Sequence, residues 1–149
     1  MINGSTFLSE SIIYLRDTLR NNLVDPISRT GSGTSFVYTS YPKNNVQYPI
    51  VTLRNNSFNT QRRVGMSCNQ TIVNLPVEIR VWARNEKEKD LLSQSVYHIL
   101  SNNQIAAGSS STTMGLFGFK LLSAVNVDED GEEGIKSRVM EYTYNYITT

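Results

Sequence analysis

Apolar residues recur along this chain with two periods, and the way those periods alternate outlines a fold. Leu8, Ile12, Leu15, Leu19 and Leu23 stand at helical spacing, which predicts an amphipathic helix over residues 6–23. Ser5 or Thr6 can cap its first turn. Asp25-Pro26 ends it, because the residue before a proline is pushed out of the α region. Residues 27–34 are loop by composition, and residues 36–41 form a short candidate strand. Residues 48–54 read as a strand with Pro49 near its start, where a missing amide is tolerated.

The clearest strand covers residues 75–84. Leu75, Val77, Ile79, Val81 and Ala83 point one way, and Glu78, Arg80, Trp82 and Arg84 the other, as in a half-buried antiparallel strand. Pro76 suggests that this strand begins at a sheet edge or a bulge. A second helix follows from Asn85, with Glu88 placed to complete a capping box. Leu92, Val96 and Ile99 give its buried stripe, widened by Leu91 and Leu100. Two long alternating arms, 116–127 and 135–147, then predict a closing hairpin. Phe117, Phe119, Leu121, Ser123, Val125 and Val127 share a face of the first arm, and Met140, Tyr142, Tyr144 and Tyr146 a face of the second. Arms this long exceed the usual strand and are expected to project beyond the core, with an acidic turn at the tip. Residues 55–71 and 101–115 lack periodicity and read as polar loops.

These elements amount to one α+β domain over residues 1–149, mainly an antiparallel sheet with two helices packed on one face and a long C-terminal hairpin. A chain of this length buries about 70% of its unfolded surface and needs neither disulfide nor metal to hold a core. Cys68 is the sole cysteine, so no intrachain disulfide forms. With 14 Lys+Arg against 13 Asp+Glu, no strong net field gathers nucleic acid or an anionic membrane. The opening residues do not read as a signal peptide and no apolar run is long enough to span a bilayer, so a soluble protein is expected.

Candidate chemistry is sparse. His98 is the single histidine, and neither cysteine nor carboxylate stands at ligand spacing from it. Cys68 would need a base to act as a nucleophile, and only His98 is available. No phosphate loop, nucleophile elbow or HExxH occurs, so no catalytic residue, cofactor or metal is expected. Asp128, Glu129, Asp130, Glu132 and Glu133 crowd around Gly131 without the spacing of a calcium loop. They read as a solubilising hairpin turn or, repeated around a ring, as a negative collar that repels DNA. Arg62 and Arg63 could meet phosphate or a partner's carboxylate, or simply be solvated. Arg80, Trp82 and Arg84 combine residue types that anchor protein interfaces, and that also stack and pair with single-stranded nucleic acid. The Tyr142, Tyr144 and Tyr146 stripe suits a core with one wet end.

The order of elements resembles that of the tail terminator (tail-completion) proteins of long-tailed bacterial and archaeal viruses. The resemblance rests on the opening helix, Tyr48-Pro49-Ile50-Val51-Thr52-Leu53, the strand Val77-Glu78-Ile79-Arg80-Val81-Trp82-Ala83-Arg84, the helix Lys89-Asp90-Leu91-Leu92 and the hairpin arm Arg138-Val139-Met140-Glu141-Tyr142-Thr143-Tyr144. It covers nearly the whole chain as a pattern of elements, without an invariant motif. It implies a non-enzymatic homo-oligomer, six copies in a ring, seated on the tail tube protein and facing a head-side connector or stopper. Genome DNA would pass through the lumen without sequence-specific binding, and no membrane would be involved. The implied location is the tail–neck region of the virion, after residence in the host cytoplasm. A head-closure or adaptor component of the neck is an alternative with the same assembly logic, and a nucleic-acid-binding module using Arg80, Trp82 and Arg84 is one of a different class.

Overall fold

The computed structural model describes residues 7–27, 36–42, 47–56, 59–64, 70–103, 116–127 and 135–148. They form helix α1 (Phe7–Asn22), strands β1 (Val37–Tyr38), β2 (Ile50–Asn55), β3 (Asn59–Val64) and β4 (Gln70–Ala83), helix α2 (Glu86–Asn102), and strands β5 (Leu116–Asn126) and β6 (Lys136–Thr148). The six strands make one sheet in the order β1-β2-β4-β6-β5, with β3 paired to β4 off that path. Only the β1–β2 pairing is parallel among these strands. The α+β class read from the sequence is the one observed.

Both helices contribute to a single core on one face of the sheet. Leu15, Leu19 and Leu23, in and just after α1, and Leu92, Val96 and Leu100 of α2 pack with Val73, Leu75, Val77, Ile79 and Val81 of β4 and with Met140, Tyr142, Tyr144 and Tyr146 of β6. The β4 alternation therefore sorts as its period predicts. The register Leu75↔Tyr144 and Val77↔Tyr142 sets the tyrosine stripe of β6 beside it on the same face. Leu91 departs from the expected stripe: it is 55% exposed, on the helix flank that turns away from the sheet.

Strand β4 is the spine. Strand β6 lies along its whole length, from Thr71↔Thr148 to Ala83↔Lys136. The opposite edge is divided, with β2 pairing residues 77–82 and β3 pairing residues 70–74. Pro76 falls at that division, in mid-strand and not at a strand start. Its carbonyl accepts the Asn56 amide N–H at 3.2 Å. Amide and carbonyl of one residue face the same neighbour in an antiparallel ladder, so the missing N–H is aimed where β2 gives way to β3.

Three expectations are corrected. The segment 55–71 is not a loop throughout, because β3 occupies 59–64 and β4 already begins at Gln70. The run Asn59-Thr60-Gln61-Arg62-Arg63 carries no hydrophobic alternation, and the free edge of a long β4 supplies the pairing that propensity does not. The hairpin does not project as a free arm, since β6 is held by β4 through thirteen paired positions. Nor does the first hairpin arm keep one face throughout. Register shifts between Phe117 and Lys120 and between Leu121 and Ser123 each insert an extra residue. Phe119 and Leu121 consequently pack against the core, while Lys120, Ser123 and Val125 pair on the other face. Gly118 sits in the first bulge with φ +64, where a side chain is strained.

Candidate partner-binding face

The sheet face away from the helices carries the side chains of the second parity of β4. Cross-strand register assembles them in rows: Ile50 beside Trp82, Thr52 beside Arg80 and Arg54 beside Glu78, with Ser137, Val139 and Glu141 of β6 on the far side of β4. Arg54 Nη2 lies 2.8 Å from Glu78 Oε2, with the arginine side chain 68% exposed. A pair so wet contributes no more than about 1 kcal/mol, so its role is to hold two charges in place.

One row further on, the Arg80 guanidinium carbon stands 3.9 Å from the ring centroid of Trp82. Arg80 Nη2 also donates to Ser137 Oγ at 3.2 Å. The Tyr41 ring meets Trp82 edge-on, with centroids 5.2 Å apart and planes at 64°. The Tyr41 and Tyr48 hydroxyls are 2.5 Å apart, which ties the segment after β1 to the start of β2. Between that segment and the strands lies a groove of about 210 Å³, lined by residues that include Thr39, Tyr41, Thr52, Arg54, Arg80 and Trp82.

This geometry bears on base stacking at Trp82. Stacking a base requires an open ring face. Trp82 is only 8% exposed, with Arg80 over its ring and Tyr41 against it. The indole is a buried anchor under a loop, and the charged groups around it are what a partner would meet.

Arg84 belongs elsewhere. It lies past the end of β4, and its Nη2 pairs with Glu88 Oε2 at 2.6 Å. That hydrogen bond raises the Arg84 pKa above its ordinary value. The Asn85 side-chain oxygen accepts the Glu88 amide N–H at 2.9 Å, as a cap should. The return arm of the capping box is displaced by one residue, since Glu88 Oε1 accepts from the Arg84 amide at 3.1 Å and not from that of Asn85. Arg84 thus stabilises the start of α2 and is not brought into the Arg80–Trp82 cluster.

Arg62 and Arg63 are strand residues of β3, opposite Ile72 and Thr71, at the other end of β4 from Trp82. Asp128, Glu129, Asp130, Glu132 and Glu133 lie outside the described residues, as do Cys68 and the capping residues Ser5 and Thr6. The ends of the acidic connection are placed, because the Val127 amide donates to the Ser137 carbonyl at 3.0 Å and Ser137 is the β6 partner of Trp82. His98 is exposed on α2, with its ring 5.7 Å from that of Tyr97. Among the described residues no three His, Cys, Asp or Glu side chains gather as a metal site, and no helix is long and apolar enough to cross a membrane.

The sequence placed Glu78 on this face with Arg80 and Trp82 but did not point to Tyr41 or Arg54 beside them. Their adjacency depends on the β2–β4 register and on the path after β1, and neither leaves a signal in spacing along the chain.

No known family profile matches the chain, and no curated protein does. Among solved structures, a chain of a native gene transfer agent (GTA) particle virion is similar, with a TM-score of 0.49 and 12% identity over 76% of this chain and 79% of that one.

Proposed function

We propose that this chain is a non-enzymatic structural protein of a virion, whose copies form a ring that caps the tail tube, ends its polymerisation and joins it to the head-side neck. The observation that carries the reading is the succession α1, β2, β4, α2 and the β5–β6 hairpin, each at the position on which the tail-terminator resemblance rests. The open sheet face supports an assembly role, since buried tryptophan beside arginine is the composition of interface anchors. In this reading the ring's partners are the tube protein on one side and a connector or stopper on the other, with DNA passing through without base recognition.

The test adds purified protein to polymerising tail tubes and images tube ends by electron microscopy. Tubes of limited length ending in six-membered rings are the expected result. Tubes that grow to the same length with bare ends would overturn the capping role. Rings that bind an isolated head-side connector but never a tube would assign the chain to the neck.

A further inference from the structure

We propose that Val125, on the β5 edge of one copy, docks into the groove between Val24 and Leu91 of a neighbouring copy, with Glu141 of the first meeting Lys87 of the second. The inference rests on the ring reading above and names a contact that joins successive copies.

The first argument is apolar surface. The groove lies between the end of α1 and the start of α2, holds about 300 Å³, and is lined by Val24, Pro26, Leu91 and Leu92 together with Lys87 and Ser95. Val24 is 84% exposed and Leu91 more than half, so apolar side chains of this groove face water. Val125 is 56% exposed on the outermost strand, beside Val139 of β6. Seating one surface on the other removes both from water, which is the general driving force of association.

The second argument is charge. Among the described residues Asp17, Glu78, Glu86, Glu88 and Asp90 each hold a cation, whereas Glu141 is exposed and forms neither ion pair nor hydrogen bond. Its cross-strand partner is Glu78, whose carboxylate is taken by Arg54. Like charges directly opposite disfavour each other, so a cation arriving at Glu141 is favoured. Arg80 and Lys120 lie on the diagonals, Arg80 committed to Trp82 and Ser137, and Lys120 bonded to neither glutamate. At the groove, Lys87 is exposed and forms no ion pair among the described residues. The nearby carboxylates are engaged, Glu88 by Arg84, Glu86 by Lys89 and Asp25 by the Ile27 amide.

The third argument is spacing. Lys87 and Leu91 stand at i and i+4 of α2, which sets their Cβ atoms roughly 5–6 Å apart. Val125 pairs Val139 and Ser123 pairs Glu141, so Val125 is diagonal to Glu141 at roughly 7–8 Å. Each surface therefore couples one apolar residue to one charge over a similar distance, with opposite signs. The groove belongs to the helix layer, and Val125 and Glu141 to the other face of the sheet. Because the two surfaces differ, the contact is heterologous and repeats from copy to copy until its rotation closes.

The test compares full-length wild type, Lys87→Glu, Glu141→Lys and the chain carrying both changes by native mass spectrometry over a concentration series. Each single change should raise the concentration needed for assembly about tenfold, and the double change should restore it. A glutamate in the first turn of α2 suits the helix dipole, and a lysine opposite Glu78 removes a like-charge pair. Thermal melts should therefore hold or rise while assembly weakens, which separates the contact from a folding defect. Val125→Ser should weaken assembly with all charges intact. Rings that ignore both single charge changes overturn this contact and leave the ring reading standing. Single losses that the double change does not restore show that Lys87 and Glu141 face other partners, and overturn it too. A wild-type chain that stays monomeric at every concentration overturns the contact, and the tube-end imaging above then decides the ring reading alone.

Discussion

Arg80 and Trp82, two positions apart on β4, form a stacked pair with the guanidinium carbon 3.9 Å from the indole centroid. Residues at i and i+2 of a strand share a face, so this pairing follows from the same alternation that buries Val81 between them. Because Trp82 is the chain's single tryptophan, its emission reports on this one face. We expect Arg80→Ala to shift Trp82 fluorescence and to cost about 0.5–2 kcal/mol in urea unfolding. An unchanged spectrum would show that the pair does not persist in solution.

The start of α2 offers a cleaner stability test. Asn85→Ala removes the acceptor for the Glu88 amide and should cost roughly 1 kcal/mol. Arg84→Ala should weaken the same turn, because Glu88 then loses its ion-pair partner. Denaturant melts of the two single variants and the double variant measure their coupling, and strictly additive losses would argue against one shared cap.

Alkaline stability should fall through the tyrosine stripe. Burial pushes the Tyr144 hydroxyl up to about 12 and moves Tyr142 and Tyr146 in the same direction. An unfolded tyrosine titrates near 10. The folded state therefore holds the proton more tightly, and the stabilisation is fully present below pH 10 and lost as pH rises toward 12. For Tyr144 a displacement of that size corresponds to about 3 kcal/mol. Melting temperatures followed from pH 8 to 12 should drop in that window, and Tyr144→Phe should drop less.

Gly118 is the one described glycine with a left-handed backbone, and a Cβ there would sit 2.7 Å from Asn145 Nδ2. Gly118→Ala should destabilise by about 1–2 kcal/mol, combining backbone strain with displacement of the Asn145 amide. The Asn74 amide, which donates to Asn145 Oδ1 at 3.3 Å, should register the change in amide NMR spectra. A neutral alanine variant would mean that the bulge can be rebuilt.

Lys89 is fully buried on α2, and its Nζ meets Glu86 Oε2 at 2.6 Å. Glu86 is 59% exposed, so the buried ammonium is only partly compensated, and Lys89→Met, of similar volume, should leave the melting temperature unchanged or raise it. A marked loss would show that the charge is needed for packing of this helix.

Where one face of an element was buried by a strong period, the sequence was sufficient. The α1 stripe, the β4 alternation and the Met140–Tyr146 face were legible because burial demands 3.6- or two-residue spacing. Strand β3 was not, since Asn59 to Arg63 pair through backbone along an edge that only a fourteen-residue β4 provides. The β5 bulges escaped because an inserted residue changes facing without changing composition. For the candidate face, Arg80 and Trp82 were evident and Arg84 was misplaced with them, because alternation continues in the letters one step past the strand. Arg54 and Glu78 became partners only through register.

The two irregularities in β5 bear on how this protein stays discrete. A regular outer strand is a template: its unpaired amides and carbonyls recruit another strand, which exposes another edge in turn. Strand β5 ends the sheet on one side, and its breaks after Phe117 and Leu121 divide that template into pieces too short to zip. Along this edge, strand-to-strand growth from one copy to the next is denied, and any contact made there has to run through side chains.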